Sequence, residues 1–94
     1  MKYYSWDPVK NEKLKQERDI SFEDVINALE EHKIADVQEH PNKKRYPNQK
    51  RLLIEINNYI YIVPYVEDKD KYFLKTIIPS RKLTKKYLIK GGIK

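Results

Sequence analysis

Residues 50–56 alternate between polar and apolar side chains, and two further apolar segments follow at 59–66 and 72–78. A period of two places successive side chains on opposite faces of a β-strand. Asn57 and Asn58, between the first two segments, suit a tight hairpin turn because asparagine tolerates positive φ. The pattern therefore predicts three consecutive strands arranged as an antiparallel meander.

Two helices are predicted before the meander. An Asp-Pro pair at residues 7–8 begins the first, over residues 8–18, which is so polar that tertiary contacts must stabilise it. Ser21 begins the second, over residues 22–32, with Asp24 completing a capping box. Its apolar residues recur at i, i+3, i+4 and i+7, which is typical of an amphipathic helix packed on a sheet.

The remaining segments complete the predicted architecture. Short strands are expected at residues 3–6 and 34–39, a loop at 40–48, and a closing helix at 83–89 that ends at two glycines. We predict one domain over residues 1–94, of the two-layer α+β class. Its element order is β-α-α-β-β-β-β-α, its sheet is antiparallel, and the second helix covers one sheet face.

The positive charge of the chain is unevenly distributed. The formal net charge is +6, yet residues 1–80 hold equal numbers of basic and acidic side chains. The whole excess lies in residues 81–94, which contain no acid, and a second basic run occupies residues 43–51. A basic excess gathered in two places favours a polyanionic partner, either a nucleic acid or an acidic protein segment.

Composition also excludes several function classes. With no cysteine, the chain has no disulfide framework, thiol catalysis or cysteine-based zinc site. Its two histidines lack metal-ligand spacing, and no glycine-rich phosphate loop is present. The longest apolar run is about eight residues, against roughly 20 for a membrane span. Since the N-terminus also lacks a signal-peptide pattern, we expect a soluble cytoplasmic protein without membrane contact.

The junction between the last strand and the closing helix is the strongest candidate site. Arg81 is expected at the strand end, where its planar guanidinium suits a phosphate group, and Ser80 is expected to cap the helix. The alternative is a solvated basic C-terminus that only maintains solubility. Lys50 and Arg51 begin a predicted strand and so can be held in place, whereas the loop before them is either a phosphate contact or simply solvated.

Aromatic and histidine side chains supply weaker candidates. Tyr59, Tyr61 and Tyr65 share one predicted strand face, which either stacks unpaired bases or packs half-buried beneath a helix. The packed arrangement is the commoner one. His40 is a candidate general base or acid because its ordinary pKa lies near neutrality, and the alternative is a solvated loop histidine.

Three motifs occur in order along the chain: WDPVK at residues 6–10, DISFE at 19–23, and IIPSRK at 77–82 with the basic helix after it. Together they resemble the motifs of BrnT-type toxins. The resemblance implies a compact RelE-like fold and a ribonuclease toxin of a type II toxin–antitoxin pair. It also implies RNA cleavage through the 2′-hydroxyl without metal or other cofactor. The implied partners are RNA, a small ribbon-helix-helix antitoxin, and operator DNA bound only through the antitoxin complex.

The resemblance also assigns residues. Arg81 matches the family's arginine after the last strand, Lys82 stands where a second arginine is common, and Lys50 or Arg51 matches a basic residue that opens the central hairpin. The family's basic residue at the last strand falls near Thr76, and Lys75 is its expected substitute. The predicted catalytic set is Arg81, Lys82, Lys75, Arg51 and His40. The predicted RNA-binding set is Lys50, Lys85, Lys86 and Tyr87.

A second function remains open at this point. The arginines expected from the family are absent at Thr76 and Lys82, and the Lys-His-Gly that usually closes the first helix reads Glu17-Arg18-Asp19, without the histidine. A basic module that binds nucleic acid or an acidic protein segment without chemistry is therefore the alternative to a ribonuclease.

Overall fold

The structure is a computed structural model that describes residues 3–89. Its strands are β1 (Tyr3–Ser5), β2 (Ile34–Glu39), β3 (Gln49–Ile56), β4 (Tyr59–Glu67), β5 (Lys71–Leu74) and β6 (Ile78–Pro79). Its helices are α1 (Pro8–Arg18), α2 (Phe22–Glu30) and α3 (Arg81–Thr84), and α3 continues as a π-helical turn, Lys85–Ile89. We call α3 and this turn together the C-terminal helix. Within the described residues, no helix is long and apolar enough to cross a membrane.

The predicted α+β class is confirmed. The strands form one sheet in the order β1-β5-β4-β3-β2, with β6 paired to β4 beyond the end of β5. The sheet is mixed, whereas we expected it to be antiparallel, because β1 runs parallel to β5 with Tyr4 opposite Tyr72. Hairpin signals report only strands that are adjacent in sequence, so this pairing, across two helices and the meander, has no local signature.

The first two helices begin as predicted. The Asp7 side chain accepts a hydrogen bond from Val9 N–H at 2.9 Å, and the capping box of Ser21 and Asp24 is present. α2 ends two residues earlier than expected, because His32 adopts a left-handed conformation with φ 59°. Lys33 N–H then bonds the Ala28 carbonyl at 2.9 Å, a Schellman-type ending.

The main core lies between the two helices and one face of the sheet, which we call the helix side. Trp6 stacks on Phe22 at 5.5 Å between ring centroids. The buried members of this core come from both layers, and they are Leu14, Ile20, Phe22, Val25, Ala28, Leu52, Ile54, Ile56, Val63, Leu74 and Ile77. The predicted packing of the second helix on the sheet is therefore confirmed.

The β3–β4 hairpin turns at Asn57 and Asn58, whose φ angles are 55° and 63°. Both lie in the left-handed region that a two-residue hairpin turn requires, as predicted. The hairpin is buried on both faces. Leu53 and Ile60 point away from α2, onto the face we call the far face, and neither has any exposed surface. The C-terminal helix packs against β4 on this face.

The predicted strand over residues 72–78 is interrupted. Lys75 N–H donates to the Pro64 carbonyl at 2.8 Å, while Ile78 pairs with Ile62. Two residues, Thr76 and Ile77, therefore lie opposite the single residue Val63, as in a β-bulge. The extra residue reverses the alternation, so Ile77 is buried in the main core while Lys75 and Ile78 face the far face. The continuous strand that we predicted over residues 72–78 is wrong for this reason.

The closing helix starts at Arg81, two residues before the predicted start, and Ser80 caps it as predicted. Ser80 Oγ accepts a hydrogen bond from Leu83 N–H at 3.2 Å. The predicted end of the helix at two glycines, together with Lys90 and Lys94, lies outside the described residues.

A buried asparagine joins the two N-terminal helices. Asn11 Oδ1 accepts a hydrogen bond from the buried Phe22 N–H at 2.8 Å, and its Nδ2 donates to Glu23 at 2.9 Å. The second bond is the main cause of a lowered pKa for the Glu23 carboxyl. Because α1 has few apolar side chains, hydrogen bonds from Asn11 join it to α2.

Asn11→Ala is expected to destabilise the fold by about 1–3 kcal/mol, because it leaves the buried Phe22 N–H without a partner. Urea denaturation measures this loss. A carboxyl with a lowered folded-state pKa stabilises the fold above its unfolded pKa and loses that contribution as pH falls through the folded value. The difference between wild type and variant should therefore shrink below about pH 4.5, the ordinary value for glutamate.

The matched control is Gln16→Ala on the exposed side of α1, which should change stability by less than about 0.5 kcal/mol. An equal loss in the two variants would contradict the role assigned to Asn11.

Candidate nucleic-acid interface

A row of side chains crosses the far face of the sheet. Gln38 on β2 is opposite Arg51 on β3, Arg51 is opposite Pro64 on β4, and Lys75 follows through its backbone bond to Pro64. Lys75 is exposed and Arg51 is half-buried. Two strand spacings separate these cations, so their Cα atoms lie about 10 Å apart. The structure thus brings together two predicted catalytic residues.

The Arg51 guanidinium is held from one side. Its Nη2 donates to Gln38 Oε1 at 2.7 Å. Its Nε atom is buried and has no hydrogen-bond partner among residues 3–89. The ion pairs of this part of the chain do not include Arg51, so its positive charge is not neutralised by a neighbouring carboxylate.

Tyr87, a predicted RNA-binding residue, reaches the same face from the C-terminal helix. Its hydroxyl donates a long hydrogen bond to Asp36 Oδ2 at 3.4 Å, and Asp36 is opposite Leu53 in the sheet. Lys86 Nζ lies 5.3 Å from the centroid of the Tyr87 ring. Lys85 and Lys86 are exposed beside it, so the helix adds cations at the edge of the row.

Arg81 and Lys82 are exposed in the first turn of α3. Ser80 N–H donates to the Ile60 carbonyl, and Ile60 is opposite Glu55, four residues from Arg51 along β3. From the rise per residue and the strand spacing, the Cα atoms of Arg81 and Arg51 lie on the order of 15 Å apart. The predicted catalytic residues therefore form two separate cationic positions.

Lys50 lies on the other face. It is opposite Tyr65, which packs against the main core, and its ammonium group bonds Glu67 at 3.1 Å. This hydrogen bond and the negative charge of Glu67 raise the pKa of Lys50. Of these two neighbouring residues, only Arg51 shares a face with Lys75.

The tyrosine stripe on β4 is part of the packing. Tyr61 and Tyr65 are half-buried against the main core on the helix side, and Tyr59 contacts Tyr61 at 5.6 Å between ring centroids. Burial raises the pKa of both Tyr61 and Tyr65. Of the two interpretations, the half-buried face is therefore the one that the structure supports.

His40 follows the last residue of β2 and is held within its loop. Its Nδ1 accepts a hydrogen bond from Asn42 N–H at 3.0 Å, and its ring lies 4.5 Å from that of Tyr46. Arg45 in turn lies over Tyr46 at 5.6 Å. An imidazole whose Nδ1 accepts a hydrogen bond carries its ring hydrogen on Nε2, so Nε2 is a hydrogen-bond donor.

The sequence did not predict roles for three residues: Asp36 and Gln38 on the far face, and Arg18 on α1. Asp36 and Gln38 belong to no sequence motif. Only the register of β2 against β3 shows that they lie beside Leu53 and Arg51. Arg18 donates to the Ile77 carbonyl at 2.9 Å and so stabilises the irregular segment ahead of β6. The chain separation of 59 residues explains why no spacing argument reveals this contact.

No known protein family, curated protein or solved structure matches this chain. Within residues 3–89, no three side chains of the metal-binding types cluster together. The interpretation of the far face therefore depends on its own geometry.

Thr84 attaches the C-terminal helix to the sheet. Its buried hydroxyl accepts from Ile60 N–H at 2.9 Å and donates to the Ser80 carbonyl at 2.7 Å. Thr84→Val keeps the shape but removes both bonds, and it should destabilise the protein by about 1–3 kcal/mol in urea denaturation. The Ile60 amide should also exchange its hydrogen faster.

Thr84→Ser retains the hydroxyl and serves as the control. It should keep the Ile60 amide protected, whatever small packing loss the missing methyl brings. Equal exchange rates at Ile60 in the valine and serine variants would show that the hydroxyl does not anchor the helix.

Proposed function

We propose that this chain is a BrnT-like, RNA-cleaving toxin that acts in the cytoplasm and is silenced by a small antitoxin. The observation that carries the proposal is the Arg51 guanidinium on the far face. It is oriented by a neutral partner and left without a neutralising carboxylate, with exposed Lys75 in the same row. A guanidinium with a positive charge and free N–H donors forms charge-assisted hydrogen bonds to a phosphate group, and these are stronger than its bonds to water.

The proposed chemistry is an in-line attack of the 2′-hydroxyl on the adjacent phosphate. The bond from the 2′-oxygen to phosphorus forms as the bond from phosphorus to the 5′-oxygen breaks, so cations are needed around the phosphate. Solvent water takes the 2′-hydroxyl proton and protonates the leaving 5′-oxygen. We assign the reacting phosphate to Arg51 and Lys75. Arg81 and Lys82 are too far away for the same phosphate, so they bind the flanking backbone together with Lys85, Lys86 and Tyr87.

His40 is the proposed hydrogen-bond donor to the leaving 5′-oxygen. Its backbone N–H bonds the Gln49 carbonyl, which extends the β2–β3 ladder by one residue past Gln38 and Glu39. Alternation then places it on the Arg51 face, about 7 Å along β2 from Gln38. Its Nε2–H can donate a hydrogen bond to the leaving oxygen, since Nδ1 accepts from Asn42 N–H.

The proposed antitoxin covers the far face. An acidic segment would pair with Arg51, Lys75 and Arg81 while its apolar side chains cover Ile78, which is 41% exposed beside them. Inhibition then follows from occlusion of the phosphate site. A ribbon-helix-helix portion of the antitoxin would carry the operator-DNA binding.

Growth and RNA-cleavage assays distinguish the proposed roles of Arg51 and Arg81. Expression of the wild-type chain alone should arrest bacterial growth, and the purified chain should cleave RNA without added metal. Arg51→Ala should lower kcat by about 10²-fold or more, the scale of losing one transition-state donor. Arg81→Ala should chiefly raise KM, because it contacts a flanking phosphate.

Lys13→Ala, an exposed lysine on α1, is the charge-matched control and should behave as wild type. Circular dichroism of each variant checks that the fold is retained. A harmless wild-type chain that leaves RNA intact would refute the ribonuclease proposal.

A non-catalytic binding module is the second candidate, and the separation of Arg51 from Arg81 favours it. Two cationic positions on the order of 15 Å apart suit several phosphates of one strand better than one reacting centre. This alternative predicts salt-dependent RNA binding, weakened by either arginine substitution, with no cleavage product.

A further inference from the structure

Four side chains form a continuous polar chain from the middle of the far face to the C-terminal helix. Arg51 Nη2 donates to Gln38 Oε1 at 2.7 Å, Gln38 Nε2 donates to Asp36 Oδ2 at 3.5 Å, and Tyr87 donates to the same carboxylate oxygen at 3.4 Å. Asp36 is itself fixed, because its Oδ1 accepts from Val37 N–H at 2.8 Å.

We propose that Gln38 is the positioning residue for the Arg51 guanidinium, and that Asp36 couples this orientation to the docking of Tyr87. The inference deepens the proposed function and rests on it, since it concerns how the same phosphate site is set and controlled. Neither Gln38 nor Asp36 contacts the reacting atoms in this scheme.

The polarity of the Gln38 amide supports this role. An amide has one acceptor end and one donor end, and here the arginine takes the oxygen while the carboxylate takes the nitrogen. Exchange of the two ends would place NH₂ against a guanidinium and oxygen against a carboxylate, which is unfavourable at both contacts. The side chain is thus confined to one orientation, and so is the arginine that it holds.

The neutrality of Gln38 matters as much as its geometry. A glutamate at this position would hold Arg51 with a stronger, charge-assisted bond, yet it would neutralise the positive charge that attracts phosphate. It would also face Asp36 with a like charge. Glutamine orients the guanidinium through one donor and leaves four of its five N–H donors uncommitted by this contact.

The buried Nε of Arg51 supplies an independent observation. A buried donor without a partner costs free energy, and such groups in folded proteins call for an explanation such as a bound ion or a catalytic role. Here the unpaired donor belongs to the same guanidinium whose Nη2 is held by Gln38.

The test measures binding of a single-stranded oligoribonucleotide by fluorescence anisotropy over a range of salt concentrations. The variants are Gln38→Ala and Gln38→Glu, and the control is Gln16→Ala on α1. Gln38→Ala should weaken binding about 3- to 10-fold and lower kcat further than it raises KM. Gln38→Glu should keep or raise thermal stability while weakening binding more than 10-fold, with the salt slope reduced by about one phosphate contact.

The glutamate variant distinguishes positioning from mere structural support. A structural role predicts that RNA binding follows thermal stability in both variants, so unchanged binding by a stable Gln38→Glu protein would overturn the inference. That result would leave the proposed function intact. A wild-type chain that binds no RNA would overturn both.

A double-substitution cycle tests the coupling. Gln38→Ala and Tyr87→Phe should each lower thermal stability, and the double variant should lose less than the sum of the two losses, because both changes break the same chain of contacts. Fully additive effects would overturn the part assigned to Asp36.

Discussion

Burial of the β3–β4 hairpin on both faces is the constraint on which the rest of the structure depends. Leu52 and Ile54 lie on the helix side, and Leu53 and Ile60 lie on the far face, all with little or no exposed surface. Each such side chain contributes about 1.5–3 kcal/mol when it is removed from water. Two separate covers are therefore required, α2 on one face and the C-terminal helix on the other, and the second cover carries the basic residues.

The bulge before β6 lets one short segment contribute to both the main core and the far face. Ile77 must point inward to complete the main core, while Lys75 and Ile78 on either side of the bulge point to the far face. One additional residue opposite Val63 allows both, and Arg18 satisfies the carbonyl that the irregular backbone leaves unpaired. The same shift sets where the chain leaves the sheet, and hence where Arg81 begins the last helix.

Electrostatics then separates basic residues that look equivalent in the sequence. Lys50 and Arg51 are neighbours, yet the first is paired with Glu67 on the helix side and the second is held by neutral Gln38 on the far face. A lysine already paired with a carboxylate has little attraction left for a polyanion. An oriented and unneutralised arginine keeps its attraction, so the far face is the surface on which proposals about RNA rest.

The sequence by itself determined the features that depend on neighbours a few residues apart. Local hydrogen bonds determine the helix starts at Asp7 and Ser21, the cap at Ser80 and the asparagine turn at 57–58. Periodicity determines the α+β class. Only the tertiary structure decided the parallel pairing of β1, the bulge, the separation of Arg81 from Arg51 and the Gln38–Arg51 contact. These depend on strand register, which joins residues distant in the chain, and one extra residue reverses every side chain beyond it.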